Sequence, residues 1–582
     1  MGERGTGMSV ARGWGAGSDR VVDLWYAAAV AVGAVLMVAT AISQPYNQNE
    51  FKQMAPYGSS DIATITGGTR QPPLDPLLGA LVQHVLGEGQ LRQRLVPIFA
   101  GISTLVLMSL FLRRLNFGYA GVFAVAVLAT QPLMVHYAAY TRPYALPLFL
   151  MMAFAYAAWR WLTDRSLAWL IVSAVAALLL PLSRLPEPTV LLATCAAALA
   201  WLAFRGQRSW SATAPLIGIS LGALVVVGYP MYLSLASKQT GTIFDPSPAG
   251  VAHRFNRGVH ELVSALLPSL ADSFPWWPVT IAVIVAAFAI PASRRRLFEI
   301  WVWWPLLLAP LMFALGYYFL NPHSLELRPY RDRYAYFFLP AFVFLVAALA
   351  TVVRDLRKSS RRVKVGFSIL LSAALLSQLP ATAEVVTDKI GPDYRQAAEV
   401  IADEVPDGAI VLYDSPAAPG PYRQPFSGKP RYLGPIPFLI EVNKVVHRPE
   451  QVGGYGPVYV LVLDGVCSSS VYCDSPEKPW DHDVSGFRVA ARFDHFRLYA
   501  PDAKQSGTEG VVDALLAFAD AFGPRMGMME TFAAAAVLNP YGDAAQGRAL
   551  IRGLYRHLDA DTARHYRDIA KRQHLNIFRG HS

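Results

Sequence analysis

The sequence predicts a polytopic α-helical membrane protein with about 11 transmembrane helices and a C-terminal extracytoplasmic α/β domain. The first observation is compositional: 54% of the 582 residues are hydrophobic and 16% are charged, whereas soluble proteins have about 25% charged residues. The second is that apolar runs of membrane-spanning length continue to about residue 383, after which the runs shorten to strand length. These features exclude a soluble enzyme, a disordered chain and a disulfide-stapled miniprotein.

The N-terminal region is predicted to be a short tail followed by an uncleaved anchor. Residues 1–20 are rich in Gly, Arg and Ser and are interpreted as a cytoplasmic tail. The apolar run from Leu24 to Ser43 has about 20 residues, enough to cross a hydrocarbon core of roughly 30 Å. It lacks a short apolar core with a small-residue cleavage site, so we do not interpret it as a signal peptide. Further spans are predicted at residues 95–112, 119–135, 143–159, 167–183, 188–204, 213–234, 277–293, 301–320, 335–353 and 365–383.

The basic residues predict the orientation of these spans. The formal net charge of +10 comes from 51 Lys and Arg against 41 Asp and Glu. With a cytoplasmic N-terminus, every predicted inside loop carries a basic cluster, as the positive-inside rule requires. We therefore expect a multi-pass protein of a bacterial-type inner (plasma) membrane with an extracytoplasmic C-terminus, and no nucleic-acid partner. The inside clusters are Arg113 and Arg114, Arg160 and Arg165, Arg205 and Arg208, Arg294 to Arg296, and the basic residues of 354–364.

The long segments on the outer side define the domains. The run 409–416 and the run 458–465 are typical of strands, and residues 393–408 are typical of a helix ended by Pro and Gly. Cys467 and Cys473 could close a small disulfide loop in an oxidising compartment or remain free thiols. The predicted domains are the tail 1–20, a transmembrane domain 21–383 with outer loops 44–94 and 235–276, an α/β domain 384–505 and a helical extension 506–582.

The predicted spans have no Asp, Glu, Lys, Arg or His in their interiors. Ion-coupled transporters and pumps place such residues near the midplane, so we expect the chemistry at the outer membrane face instead. Five arginines lie in short outer loops, where the positive-inside rule disfavours them; they are Arg142, Arg184, Arg328, Arg331 and Arg333. They either extend toward phospholipid head groups or bind a phosphate, which guanidinium groups do in a bidentate manner.

Five short motifs follow one another in a specific order. They are Asn49-Glu50, Gln71-Pro72-Pro73-Leu74-Asp75, Gln93-Arg94-Leu95, the turn from Tyr137 to Leu146, and Arg331-Asp332-Arg333-Tyr334 before a late span. This order resembles membrane glycosyltransferases of the GT-C superfamily, in the branch of protein O-mannosyltransferases and lipid A aminoarabinose transferases (glycosyltransferase family 39-like). The span count, the large first outer loop and the outer C-terminal domain are similar too, so the resemblance implies a GT-C-like fold.

The resemblance implies an enzyme that transfers a hexose or pentose from a polyprenyl-phosphate donor, with inversion, to a glycan, lipid or protein acceptor outside the membrane. Such a reaction needs a base for the acceptor hydroxyl and positive charge for the leaving phosphate. Glu50 is the first candidate base, Asp61 the second and Asp75 the third. The alternative for Glu50 is a solvated loop residue or a salt bridge to Lys52. The motif departs from the family at Asn49, where Asp is usual, and at Tyr140, where Glu is usual.

The remaining candidate residues are expected to bind substrate. Asp75 has a competing interpretation as a helix N-terminal carboxylate, and His136 with Tyr137 could serve only as an interfacial anchor. His253 lies on a predicted interfacial helix that could cover the sugar site. No cofactor is required by these motifs, although a divalent cation such as Mg²⁺ or Mn²⁺ is left open. The predicted substrate-binding residues are Arg142, Arg331, Arg333, His136, Tyr137, Asp75, Arg70 and His253.

Two other functions remain open at this point. A transporter or flippase for a lipid-linked or polar solute is one, although charged residues through a central cavity would then be expected. A non-catalytic envelope protein that binds a lipid-linked sugar is the other, because the acidic motif is incomplete.

Overall fold

A computed structural model gives the arrangement of the chain. It describes residues 16–46, 50, 53–54, 56–67, 72–236, 288–320, 335–355, 365, 376, 378–387, 394–406, 409–413, 431–433, 456–463, 483–493, 496–502, 507–526, 531, 534–535, 537–538 and 544–556. The chain divides into two compact units. One comprises Met1–Gln44 and Pro56–Asp388, and the other comprises Pro45–Ala55 and Lys389–Ser582.

The first unit is helical throughout its described part. Its α-helices are Ala16–Ser43, Ile62–Gly67, Leu74–Leu86, Gln90–Gln93, Leu95–Arg114, Tyr119–Ala129, Pro132–Ala138, Ala145–Asp164, Leu167–Ser183, Pro186–Phe204, Trp210–Ala223, Tyr229–Ala236, Pro291–Glu299, Trp303–Leu320, Leu339–Asp355 and Leu379–Thr387, with a π-helical segment Leu224–Gly228 and a 3-10 turn Tyr336–Phe338. By length and composition, five of the described helices could cross a membrane, or six if one bent pair is a single span.

The bent pair is where the structure differs from the predicted span 119–135. Tyr119–Ala129 and Pro132–Ala138 meet at an angle of 58°. Pro132 has no N–H to donate and its ring opposes a straight helix, and the Gln131 side chain caps the second helix by accepting from the Leu133 N–H at 2.6 Å. The chain therefore turns at residues 130–132 instead of continuing straight.

The carbonyl groups freed at this bend are bonded from a distant helix. Gln378 Nε2 donates to the Val127 carbonyl at 3.3 Å, and the Thr382 hydroxyl donates to the Thr130 carbonyl at 2.5 Å. Backbone groups in an apolar environment need such partners, because an unmade hydrogen bond there is costly. The helix Leu379–Thr387 is thus attached to the bend.

Small residues let the helices of this unit pack closely. A side chain at Gly101 would place its Cβ 2.5 Å from the Cβ of Ala138, which is too close for real atoms. Small residues at such crossings are common in membrane helices, where close packing replaces the hydrophobic effect as the driving force. The approach brings Leu95–Arg114 against Pro132–Ala138, the helix that begins at the bend.

The second unit contains a five-stranded mixed sheet. The strands are β1 Ile410–Tyr413, β2 Arg431–Leu433, β3 Val458–Leu463, β4 Phe487–Phe493 and β5 Phe496–Pro501, in the order β2-β1-β3-β5-β4. β1 runs parallel to β2 and β3, whereas β5 is antiparallel to β3 and β4, with a bulge between Val489 and Ala491. The described helices of this unit are Tyr394–Glu404, Gly507–Met526 and Ala544–Tyr555.

The helix Gly507–Met526 shares a core with this sheet. The Phe518 ring lies 5.2 Å from the Tyr499 ring and 5.4 Å from the Phe487 ring, in edge-to-face arrangements with both. Edge-to-face pairs add to the stabilisation that burial of the rings supplies.

Candidate active site

The turn between Pro132–Ala138 and Ala145–Asp164 carries a group of aromatic side chains. The His136 and Tyr140 rings are stacked with their centroids 5.5 Å apart, and the Tyr140 and Tyr144 rings are stacked at 6.2 Å. Tyr137 lies across this stack, 4.8 Å from His136 and 4.9 Å from Tyr144. The structure therefore brings the predicted residues His136 and Tyr137 together with Tyr140, the residue that departs from the family motif.

The backbone of this turn is tight. The Arg142 N–H donates to the Tyr140 carbonyl at 2.7 Å, and the Tyr144 N–H donates to the Arg142 carbonyl at 2.7 Å. Two successive bonds between residues i and i+2 reverse the chain within a few residues. They hold the half-buried Arg142 between the two tyrosines, directly before Pro143.

Arg184 and Glu187 join this aromatic group from the next pair of helices. Arg184 Nε lies 2.7 Å from Glu187 Oε2, and the guanidinium lies over the Tyr144 ring at 5.1 Å and over the Phe337 ring at 5.2 Å. Contacts with ring faces stabilise a cation by about 0.5 to 2 kcal/mol. Arg184 belongs to the set of outer arginines identified in the sequence, whereas its pairing with Glu187, three residues further on, was not predicted.

The arginine of the Gln93-Arg94-Leu95 motif caps the end of a helix. Arg94 is buried, and its Nη1 donates to the carbonyls of Ala41 at 2.9 Å and Gln44 at 2.7 Å. Gln90 Nε2 donates to the same Gln44 carbonyl at 2.6 Å. The last carbonyls of a helix lack partners within it, so these two side chains cap the end of Ala16–Ser43.

This cap is connected to the aromatic turn. The Gln93 side chain donates to Gln83 Oε1 at 3.1 Å, and the Thr141 hydroxyl donates to the Gln93 carbonyl at 3.3 Å. The motifs that are separate in sequence thus lie in one hydrogen-bonded assembly, which links Leu74–Leu86, the first helix and the turn.

The three candidate carboxylates occupy different environments. Glu50 is fully buried, which excludes the solvated interpretation, and it lies in the segment Pro45–Ala55. Lys52 lies outside the described residues, so the salt bridge remains a prediction. Asp75 is buried in the first turn of Leu74–Leu86, where a carboxylate is favoured by the helix dipole.

Asp61, the second candidate base, is engaged as a helix cap. Its Oδ1 accepts from the Ala63 N–H at 3.0 Å, and its Oδ2 accepts from the Thr64 N–H at 3.0 Å and from the Thr64 hydroxyl at 2.6 Å. These hydrogen bonds, led by that of the Thr64 hydroxyl, lower the pKa of Asp61. This geometry matches an N-cap of the helix Ile62–Gly67 and favours a structural role over proton abstraction.

The other predicted residues lie outside the described part of the chain. They are Arg70, Arg331, Arg333, His253, Cys467 and Cys473. Among the described residues, no three of His, Cys, Asp and Glu lie close enough together to hold a metal ion. A divalent cation stays a prediction.

Part of the chain matches a known family. Residues 70–232 match the family model described as dolichyl-phosphate-mannose-protein mannosyltransferase. This segment includes the helix Leu74–Leu86, the Arg94 cap, the aromatic turn and the Arg184–Glu187 pair. The match confirms, over these residues, the resemblance predicted from the motifs. No curated protein matches the chain.

Two solved structures are similar to the chain at low identity. The crystal structure of ArnT from Cupriavidus metallidurans bound to undecaprenyl phosphate is 12% identical, with a TM-score of 0.48, and covers 83% of this chain and 98% of its own. The apo state of the same protein is also 12% identical, with a TM-score of 0.47 and the same coverage. At a TM-score below 0.5, this similarity does not by itself establish a shared fold.

Proposed function

We propose that this protein transfers a sugar from a polyprenyl-phosphate donor to an acceptor on the outer face of the membrane, with inversion at the anomeric carbon. The observation that carries the proposal is the family match over residues 70–232. The name of that family contains dolichyl phosphate, which is a polyprenyl phosphate, and this chemistry supports the donor class.

Arg142, in the aromatic turn, suits the stabilisation of the leaving group. As the bond between the anomeric carbon and the phosphate oxygen breaks, a lipid phosphate leaves with increased negative charge. Positioned cations lower the free energy of such a transition state, and guanidinium groups match phosphate oxygens in a bidentate manner. We assign this role to Arg142, together with Arg331 and Arg333 as predicted from the sequence.

Glu50 is proposed as the base. The acceptor hydroxyl oxygen attacks the anomeric carbon from the face opposite the phosphate, and its proton passes to the Glu50 carboxylate. A closed active site keeps water away from the reacting groups, so a buried carboxylate suits this role better than an exposed one. Glu50 is fully buried, whereas Asp61 is exposed and engaged as a cap.

The test uses the purified full-length protein in liposomes with a polyprenyl-phosphate sugar and a glycan, lipid or protein acceptor. Release of polyprenyl phosphate is followed by mass spectrometry. Loss of a general base costs typically 10²- to 10⁴-fold in rate, so Glu50→Gln is expected to slow release by at least about 100-fold.

A matched control is available in the same outer loop. Glu88 is exposed and accepts a hydrogen bond from Gln83 Nε2 at 3.1 Å, so Glu88→Gln should keep the wild-type rate. Release unchanged in Glu50→Gln would refute the assignment of the base. Absence of release from the wild-type protein with every donor and acceptor class would refute the proposed reaction.

A further inference from the structure

We infer that Arg165, Arg205 and Arg208 form a binding site for the phosphate head group of an anionic phospholipid. Arg165 follows the helix Ala145–Asp164, and the other two lie between Pro186–Phe204 and the helix that begins at Trp210. All three lie in loops of the predicted cytoplasmic side, at the opposite helix ends from the proposed sugar-transfer chemistry.

The two loops are held next to each other. Arg165 Nη2 lies 3.4 Å from the Ser209 Oγ, and Trp161 Nε1 donates to the Ala212 carbonyl at 2.7 Å. The second loop also has a defined shape, because Gly206 adopts a left-handed conformation with φ of 67° and ends its helix. The Gly206 N–H bonds to the Ala203 carbonyl and the Gln207 N–H to the Leu202 carbonyl, both at 3.0 Å, which is the Schellman pattern.

None of the described carboxylates neutralises the charges of this cluster. Asp164, which precedes Arg165, pairs instead with Arg160 and, at 3.3 Å, with Arg114. Within the described part of the chain, no carboxylate lies within salt-bridge distance of the three arginines. A surface with three uncompensated guanidinium groups attracts an anion.

The guanidinium groups are oriented by aromatic rings. Arg205 lies over the Trp201 ring at 4.6 Å, and Arg165 lies over the Trp161 ring at 5.8 Å. Stacking uses the face of the guanidinium, whereas its N–H donors point outward in the plane. Those donors match the oxygen atoms of a phosphate.

Exposed aromatic residues around the cluster favour a lipid over a soluble phosphate. Trp201 is 54% exposed, Phe204 76% and Trp210 56%, and the Trp201 and Phe204 rings stack at 6.1 Å. Tryptophan concentrates at the head-group depth of a bilayer, where an acyl chain contacts the rings while the phosphate contacts the arginines. The cytoplasmic leaflet, which this side is predicted to face, is rich in anionic lipids.

The experiment measures lipid binding to the purified full-length protein by native mass spectrometry. Phosphatidylglycerol and phosphatidylcholine with identical acyl chains are titrated in the same detergent. A basic residue near a membrane surface contributes about fivefold in affinity. The triple variant Arg165→Gln, Arg205→Gln and Arg208→Gln is therefore expected to bind phosphatidylglycerol at least about 25-fold more weakly, with phosphatidylcholine binding unchanged.

A control variant removes the same number of charges from the same predicted side. Arg113→Gln, Arg295→Gln and Arg296→Gln alter arginines that already pair with Asp23 or Glu299, and phosphatidylglycerol binding should be retained. An unchanged lipid preference in the site variant, or an equal loss in both variants, would overturn the proposal.

If the triple arginine variant fails to fold, a second measurement on the wild-type protein tests the proposed phospholipid site. Phosphatidylglycerol with a photoreactive head group is cross-linked, and the labelled peptides are identified. Labelling concentrated in residues 161–169 and 201–211 supports the site, and labelling elsewhere overturns it.

Discussion

At the residue scale, the pair of Arg184 and Glu187 supports a strong prediction. The Glu187 side chain is fully buried, and the Arg184 side chain is 15% exposed. Removing one partner of a buried pair leaves an uncompensated charge and typically costs about 3 to 5 kcal/mol. We expect Arg184→Gln to lower the free energy of unfolding by that amount, measured by denaturant titration in detergent.

The double variant separates the charge effect from lost packing. Arg184→Met with Glu187→Leu removes both charges and keeps apolar volume, and replacing a buried ion pair in this way is often neutral or stabilising. It should therefore be more stable than Arg184→Gln. A double variant that is as unstable as the single one would show that packing against Tyr144 and Phe337, and not charge, is what Arg184 supplies.

Asp61 supports a prediction on pH. Because hydrogen bonds lower its pKa in the folded protein, the cap stabilises the helix above the ordinary aspartate pKa of about 3.9. That stabilisation is lost as the pH falls through the lowered value. In the wild-type protein, hydrogen exchange of the Ala63 and Thr64 amides, corrected for intrinsic rates, should accelerate as the pH falls below the lowered pKa. In Asp61→Ala, the same amides should already exchange faster at neutral pH.

The rate of sugar transfer by Asp61→Ala distinguishes a helix cap from a catalytic base. Asp61→Ala should keep the wild-type rate of polyprenyl phosphate release, whereas a base could not be removed without loss. An inactive Asp61→Ala variant with normal exchange at Ala63 and Thr64 would reverse the assignment and return Asp61 to the position of candidate base.

Local motifs located some of these residues, but not their distant partners. The turn around Tyr137 and Arg142 could be located from its motif. The capping role of Asp61 was not predicted, because the sequence marked it only as an acidic residue in the outer loop and the helix Ile62–Gly67 is short. The partner of Arg94 could not be found in this way, because the carbonyls of Ala41 and Gln44 lie about 50 residues away and are unmarked in the sequence.

At the element scale, the bend at Pro132 depends on side chains from Leu379–Thr387. The Thr382 hydroxyl bonds to the Thr130 carbonyl across 252 residues of sequence. Thr382→Val keeps the shape of the side chain but leaves that carbonyl without this donor, which costs about 1 to 3 kcal/mol when the group is buried. We expect a lowered unfolding temperature of the detergent-solubilised protein.

A neighbouring threonine serves as the control for this measurement. The Thr387 hydroxyl bonds to the Ala383 carbonyl of its own helix at 2.9 Å, and the residue is exposed. Thr387→Val should therefore change stability by less than Thr382→Val. Equal effects would mean that the bond across the bend contributes nothing beyond a local helix bond.

The bend illustrates the limit of prediction from periodicity. Residues 119–135 are apolar except for Thr130 and Gln131, so they predict one straight span, although Pro132 can break a helix. The helices Leu95–Arg114 and Ala145–Asp164 coincide with predicted spans because no proline interrupts their middle and basic or acidic residues end them. The donors that satisfy the carbonyls freed at the bend come from Gln378 and Thr382, and a local sequence pattern does not identify such distant partners.

At the scale of the whole molecule, the basic loops predict a cytoplasmic N-terminus, and this orientation underlies both proposals. It is tested with single cysteines in a variant that lacks the three natural ones. Ser60 and Gln207 are exposed residues in loops on opposite predicted sides. In intact cells, Ser60→Cys should react with a membrane-impermeant maleimide, whereas Gln207→Cys should react only after permeabilisation. The reverse pattern would place Arg165, Arg205 and Arg208 on the outer face and the aromatic turn in the cytoplasm, which is incompatible with transfer outside the membrane.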